Sequence, residues 1–315
     1  MQRKLSDNAI LTFGMKSTMK KTGSVVLLAL LSGLTTLVLV LTVLTLNVSS
    51  GSISEYAETG TVLFYVLSIL HMIFGVFVTP AVAGTCISSE REKQTMDLLL
   101  CSQLMPKDVI IGKFLSSISW ILLISVSLLP SYSVIYMIGG VPATAIIATF
   151  LYIIWMTAAI AAFAVFFSSV SKKSATSVVI TYVVIFAIVS FNFTLFGIYY
   201  GVLEAIASYY SYYRGIAVLT WIDDFISPVA WFNPVVAFIC ILAGTMSWLE
   251  DITDILFGVM TNNPKRDAII IVAVNVIFYS LLAFLFLRLA ARAVDPMREH
   301  RRDRRKENKK AAKNA

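Results

Sequence analysis

Six stretches of this chain run for the length of a membrane crossing with almost no charge, at residues 24–46, 61–87, 114–137, 143–167, 175–200 and 268–290. The first, "SVVLLALLSGLTTLVLVLTVLTL", holds 23 residues without a charge. At about 1.5 Å per residue it reaches about 34 Å, enough for a hydrocarbon core of about 30 Å. It is longer than the apolar core of a signal peptide and lacks a small-residue exit site, so it reads as an uncleaved anchor. A seventh apolar stretch, 228–249, contains Asn233-Pro234. Proline has no amide donor and disfavours helical geometry at the residue before it, so the pair should break a helix early. The stretch therefore reads as a re-entrant or interfacial helix inside an outer region, 201–267. Such a piece is tolerated at membrane depth only where protein or a wet cavity covers its backbone.

Composition agrees with this pattern: 58% of residues are hydrophobic, 14% are charged and the mean hydropathy is +0.83. Water-soluble domains carry roughly 25% charge, so a polytopic all-α membrane protein is expected. The distribution of the charge sets its topology. With six crossings and the N-terminus in the cytoplasm, 22 of the 25 Lys and Arg residues fall on inner segments, leaving Arg214, Lys265 and Arg266 outside with nine carboxylates. This bias places both termini inside. A permease-like domain over 1–290 is then followed by a basic cytoplasmic tail, 291–315, and the chain reads as a multi-pass protein of the cell membrane. Cys86, Cys101 and Cys240 are odd in number and lack C-x-x-C spacing, so they suggest neither a disulfide framework nor a zinc site.

Two inner segments are amphipathic. In the N-terminal "LSDNAILTFGMKSTMKKTG", Leu5, Ala9, Ile10 and Phe13 can share a face ahead of Lys16, Lys20 and Lys21, a pattern suited to the headgroup layer. The other, "SEREKQTMDLLL", opens with Ser89 and Glu92 in capping-box spacing. Met96, Leu99, Leu100 and Leu104 then place apolar positions on one face, while Glu90, Arg91, Lys93, Gln94 and Asp97 point elsewhere. The spacing predicts a helix over 89–104, ended or kinked by Pro106.

Glu90-Arg91-Glu92, Thr95, Leu99-Leu100, Pro106 and Gly112-Lys113 together resemble the "ERE-x-G-T-x-x-x-L-L … P … GK" signature of ABC transporter permeases of the type-2 export class. Gln94 stands where that signature has glycine, and a glutamine should favour continuous helix there. The resemblance implies a coupling helix that docks on a separate ABC ATPase subunit through Glu90, Arg91, Glu92, Lys93, Gln94 and Asp97. It also implies an elbow helix at the N-terminus and a second permease chain, identical or different. ATP and Mg would be held by the partner, with no cofactor in this chain.

Motifs for chemistry within the chain are missing. "IIGKF" has the Gly-Lys of a phosphate-binding loop without its upstream glycine or following hydroxyl residue, and neither H-E-x-x-H nor G-x-S-x-G occurs. No metal site is expected. His71, Asn192 and Asn275 are polar positions within spans, read either as helix–helix hydrogen bonds or as contacts along a translocation pathway. The tyrosines at 199, 200, 209, 210, 212 and 213 suit an interface or an exit lining. The expected function is ATP-driven export of a hydrophobic or amphipathic substrate (lipid, drug or peptide). The alternatives are a polytopic enzyme acting on lipid-linked substrates through Asp223-Asp224, and a membrane scaffold. Membrane lipid is an expected contact of the chain, whereas nucleic acid is not.

Overall fold

The computed structural model describes residues 22–45, 53–96, 106–210, 232–243 and 264–294, and all regular structure among them is helical. In chain order the helices are α1 (Thr22–Thr45), α2 (Ile53–Ala83), α3 (Ser88–Glu92), α4 (Pro106–Ser127), α5 (Leu129–Ile138), α6 (Ala143–Val170), α7 (Ser174–Tyr210), α8 (Pro234–Ala243) and α9 (Pro264–Ala293). Five helical stretches are long and apolar enough to cross a membrane: Tyr56–Glu92, Lys107–Ile138, Ala143–Val170, Ser174–Leu195 and Ala268–Ala293. They stand where the second to sixth crossings were expected, and α1 contributes a shorter apolar stretch, Leu28–Leu44. The expected N-terminal amphipathic helix, Asp223-Asp224 and the basic tail lie outside the described residues.

The bundle is organised around α6. Its neighbours are α2, α4, α7, α8 and α9. The run Ala158-Ala159-Ile160-Ala161-Ala162-Phe163-Ala164 explains why so many elements can reach it, because small side chains let helix backbones approach closely where there is no water to expel. Gly75 of α2 uses the same device, since a Cβ there would sit 2.4 Å from Thr157 Cγ2 of α6. By contrast α7 is mostly exposed along its apolar length, with Val183, Phe186 and Phe191 on its surface. It is also longer than the expected 175–200 and carries Tyr199, Tyr200, Tyr209 and Tyr210 in its helical backbone. Tyr212 and Tyr213 lie beyond the described residues.

At one end of the bundle the chain turns between α5 and α6 through Gly139 (φ +97) and Gly140 (φ +87), a left-handed conformation that favours glycine. The turn rests on the start of α2, where a Cβ on Gly60 would come within 2.0 Å of the Gly139 carbonyl oxygen. Backbone here touches backbone.

The helix α8 starts at the pair Asn233-Pro234, which was expected to interrupt a helix over 228–249; residues 228–231 and 244–249 lie outside the described residues. Asn233 Oδ1 accepts from the Val235 amide at 2.9 Å, and Pro234 takes the first helical position, where a missing amide costs nothing. The ten described residues of the helix span about 15 Å. Val236, Ala237, Phe238, Cys240 and Leu242 are buried in the main apolar cluster with α2 and α6. Three tyrosine hydroxyls donate to backbone carbonyls at the two ends of this piece: Tyr152 to Pro234 at 2.8 Å, Tyr279 to Phe232 at 3.1 Å and Tyr65 to Leu242 at 3.1 Å. Protein groups thus take up polar backbone that lipid could not satisfy.

Candidate functional site

The signature segment folds differently from a helix over 89–104. α3 ends at Glu92, and Gln94 has φ 55, the positive value of a left-handed residue and the only one on a non-glycine among the described residues. The Gln94 amide donates to the Arg91 carbonyl at 3.2 Å and the Thr95 amide to the Glu90 carbonyl at 3.0 Å. This pair of reversed bonds is the Schellman arrangement that closes a helix C-terminus. Glutamine therefore does not prolong the helix. The position the signature gives to glycine is the left-handed residue of a helix stop, and the tertiary frame holds Gln94 in that conformation at a steric cost. Met96 is buried, whereas Asp97 and the remainder of the expected helix lie outside the described residues. Pro106 opens α4.

The capping box is not formed either. Ile87 precedes α3, and no side chain of its own segment caps the helix. Ser168, near the end of α6, supplies the cap from across the bundle: its Oγ accepts from the amides of Ile87 and Ser88, each at 3.0 Å. Glu92 turns away from Ser89 and accepts from Ser174 Oγ at 2.5 Å. Between these two, Arg91 Nη1 donates to the Ser171 carbonyl at 3.2 Å. Ser168, Ser171 and Ser174, spaced three apart through the end of α6, the turn and the start of α7, thus hold successive parts of the α3 segment.

Glu90 faces the other way and pairs with Lys113 of α4, both side chains 19% exposed. The first and last residues of the signature are therefore an ion pair that ties α3 to α4. One oxygen of Glu90, Oε2, is buried without a hydrogen-bond partner. Among the described residues of this segment Glu92, Lys93, Gln94 and Thr95 are exposed, as are Lys172 and Lys173 of the turn. Of the six positions expected to meet a partner, then, Glu90, Arg91 and Glu92 bond to their own chain, although Glu92 stays exposed. The periodicity of 89–104 carried no sign of these bonds, because their partners lie about 80 residues away or, for Lys113, on the next helix.

The intramembrane candidates are not brought together. His71 is buried, with Nδ1 3.3 Å from Tyr132 Oη of α5 and Nε2 3.1 Å from Ser125 Oγ of α4, and its ring tilts against Phe150. Asn275 is buried on α9 and accepts from Tyr152 Oη at 3.2 Å, in the same group that anchors α8. Both residues therefore sit in helix–helix hydrogen bonds. Asn192 lies on α7, and its side chain is outside the described residues. Among the described residues no three His, Cys, Asp or Glu side chains gather as a metal group would require.

Comparison with known families gives one result of wide coverage: the model described as ABC-2 family transporter protein matches residues 8–292. A comparison with curated proteins finds no match.

Proposed function

The chain belongs to the ABC-2 transporter family, and on that premise we propose that it is the membrane-spanning subunit of an ATP-driven exporter. As a member of that family it is a membrane permease component, and the family implies association with an ABC ATPase. The finer reading is that ATP and Mg bind only to the ATPase partner. Two permease chains, identical or different, form a pathway in the cell membrane for a hydrophobic or amphipathic substrate, with both termini cytoplasmic.

The observation that carries this reading is the α3 segment. It is a short helix stopped by a left-handed residue and bonded on three sides to α4, α6 and α7, while Lys93 and Gln94 remain exposed. A surface fixed this firmly can pass a push from a docked partner into several helices at once. A loop that only covers helix ends has no need of such bonding. The apolar pathway, with few fixed charges, supports lipids, drugs or amphipathic peptides over small ions.

Purification of the tagged chain from its native membrane tests the reading. An ATPase subunit should remain bound in simple stoichiometry, and the complex should hydrolyse ATP. Charge reversal of Glu90 and Glu92 together should uncouple that hydrolysis from transport in proteoliposomes. A complex that never retains an ATPase would sink the proposal.

A further inference from the structure

One face of α9 is turned away from the bundle, apolar for most of its length and then basic. Asn275 and Tyr279 are buried on the opposite side of the helix. On the outer side Ile277, Leu281, Phe284 and Leu285 are exposed, and the exposed Arg288 and Arg292 continue the same stripe. Arg288 does not reach toward the nearer end of the helix. Its guanidinium carbon sits 4.2 Å from the centre of the Phe284 ring, one turn back toward the middle of α9. Side chains on a helix lean toward its N-terminus, so an arginine near the C-terminal end of a crossing leans into the membrane rather than out of it. Among the described residues neither arginine has an ion-pair partner. A cation held in this way calls for an anion that can come to it.

We propose that this face of α9 binds an anionic phospholipid of the leaflet at the helix's C-terminal end. Its acyl chains lie along Ile277, Leu281 and Leu285, and its phosphate meets Arg288 and Arg292. From Ile277 to Arg288 the helix rises about 16 Å, close to half of a hydrocarbon core of about 30 Å. The stripe therefore has the length of one leaflet's acyl layer, with its cations at the headgroup end. Stacking on Phe284 occupies the flat face of the Arg288 guanidinium and leaves its edge donors free for phosphate oxygens. A second copy of this chain would match the apolar part alone and would need a carboxylate placed against each arginine, whereas one lipid molecule supplies both the chains and the charge. The inference requires only that α9 crosses the membrane, and it stands apart from the ATPase. In the topology proposed above the leaflet is the cytoplasmic one, where anionic lipid is concentrated.

The test titrates the full-length chain in detergent micelles with phosphatidylglycerol, or with phosphatidylcholine of the same acyl chains, and reads bound lipid by native mass spectrometry. The wild type should hold phosphatidylglycerol about tenfold more tightly than phosphatidylcholine, and Arg288→Gln/Arg292→Gln should lose that preference. Arg304→Gln/Arg305→Gln, which removes the same charge from the basic tail, should keep it. Phe284→Leu should weaken it several-fold, because the ring that positions Arg288 is gone while the charge remains. A preference retained in the Arg288/Arg292 variant, or lost equally in the tail variant, overturns the proposal. So does displacement of the lipid by millimolar inorganic phosphate, which would show a site for a bare anion. In a chain with Cys86, Cys101 and Cys240 replaced by serine, a spin label on Leu281→Cys should be open to dissolved oxygen in bilayers, as a lipid-facing position is. Protection of that label by a second copy of the chain would overturn the proposal as well.

Discussion

Gln94 shows how much a single backbone conformation can decide. A side chain in the left-handed region costs about 1–2 kcal/mol relative to the ordinary helical region, and glycine avoids that cost. Gln94→Gly should therefore stabilise the protein by up to about 1 kcal/mol, seen as a higher midpoint in thermal unfolding of the detergent-solubilised chain. Gln94→Val should lower that midpoint. The glycine position was legible in the sequence as a departure from a signature; its role was not, because a helix stop and a helix interior look alike until the reversed hydrogen bonds are seen. The pair Glu90–Lys113 makes a second residue-scale prediction. Lys113→Ala would leave a largely buried carboxylate without its cation, at a cost of about 1–3 kcal/mol. The double change Glu90→Gln/Lys113→Met should recover most of that loss, because an unpaired charge costs more than an absent pair. Thermal midpoints of Lys113→Ala and of the double variant, each against the wild type, would check this.

The helices themselves were largely legible, since a run of about twenty uncharged, apolar residues fits a membrane crossing and little else. Their ends and their contacts were less so. The capping box at Ser89 and Glu92 fitted the local spacing, yet the Ser89 amide bonds to the Thr85 carbonyl, the helix starts a residue earlier, and the amides of Ile87 and Ser88 are bonded by Ser168, about 80 residues on, which no local rule contains. Asn233-Pro234 was legible as an interruption of the apolar run, but the cap that Asn233 places on the helix after it was not. Two predictions belong at this scale. Gly60→Ala places a methyl group against the Gly139 carbonyl, which is backbone and cannot swing aside, so it should destabilise by about 1–3 kcal/mol through forced separation of α2 from the α5–α6 turn. Ala substituted at Gly33, where no atom lies within 4 Å of the new Cβ, is the matched control in the same thermal assay. Tyr152→Phe removes the hydroxyl shared by Pro234 and Asn275 and should loosen α8. Cys240, buried at 3% exposure on that helix, reports the change: its reaction with a small maleimide should quicken several-fold while the thermal midpoint moves little.

At the scale of the whole molecule, the proposed topology rests on assigning to the inside the segments that carry 22 of the 25 basic residues, and it can be read by labelling. In a variant with Cys86, Cys101 and Cys240 replaced by serine, Lys173→Cys should react with a membrane-impermeant reagent only from the cytoplasmic side. Met137→Cys, exposed at the opposite end of α5, should react from the outside. The reverse pattern would invert the orientation and move α3 away from any cytoplasmic ATPase. The central place of α6 also bears on how the chain is made. The helices α1, α2 and α4 are made before α6 has been synthesised, so Gly75, which packs against Thr157, meets its partner only when α6 arrives. During that interval the early helices are a loose set, held by lipid and by one another. Assembly is therefore timed by synthesis of Ala143–Val170, and a ribosome pausing before residue 143 would leave membrane-inserted helices without the surface they were built to fit.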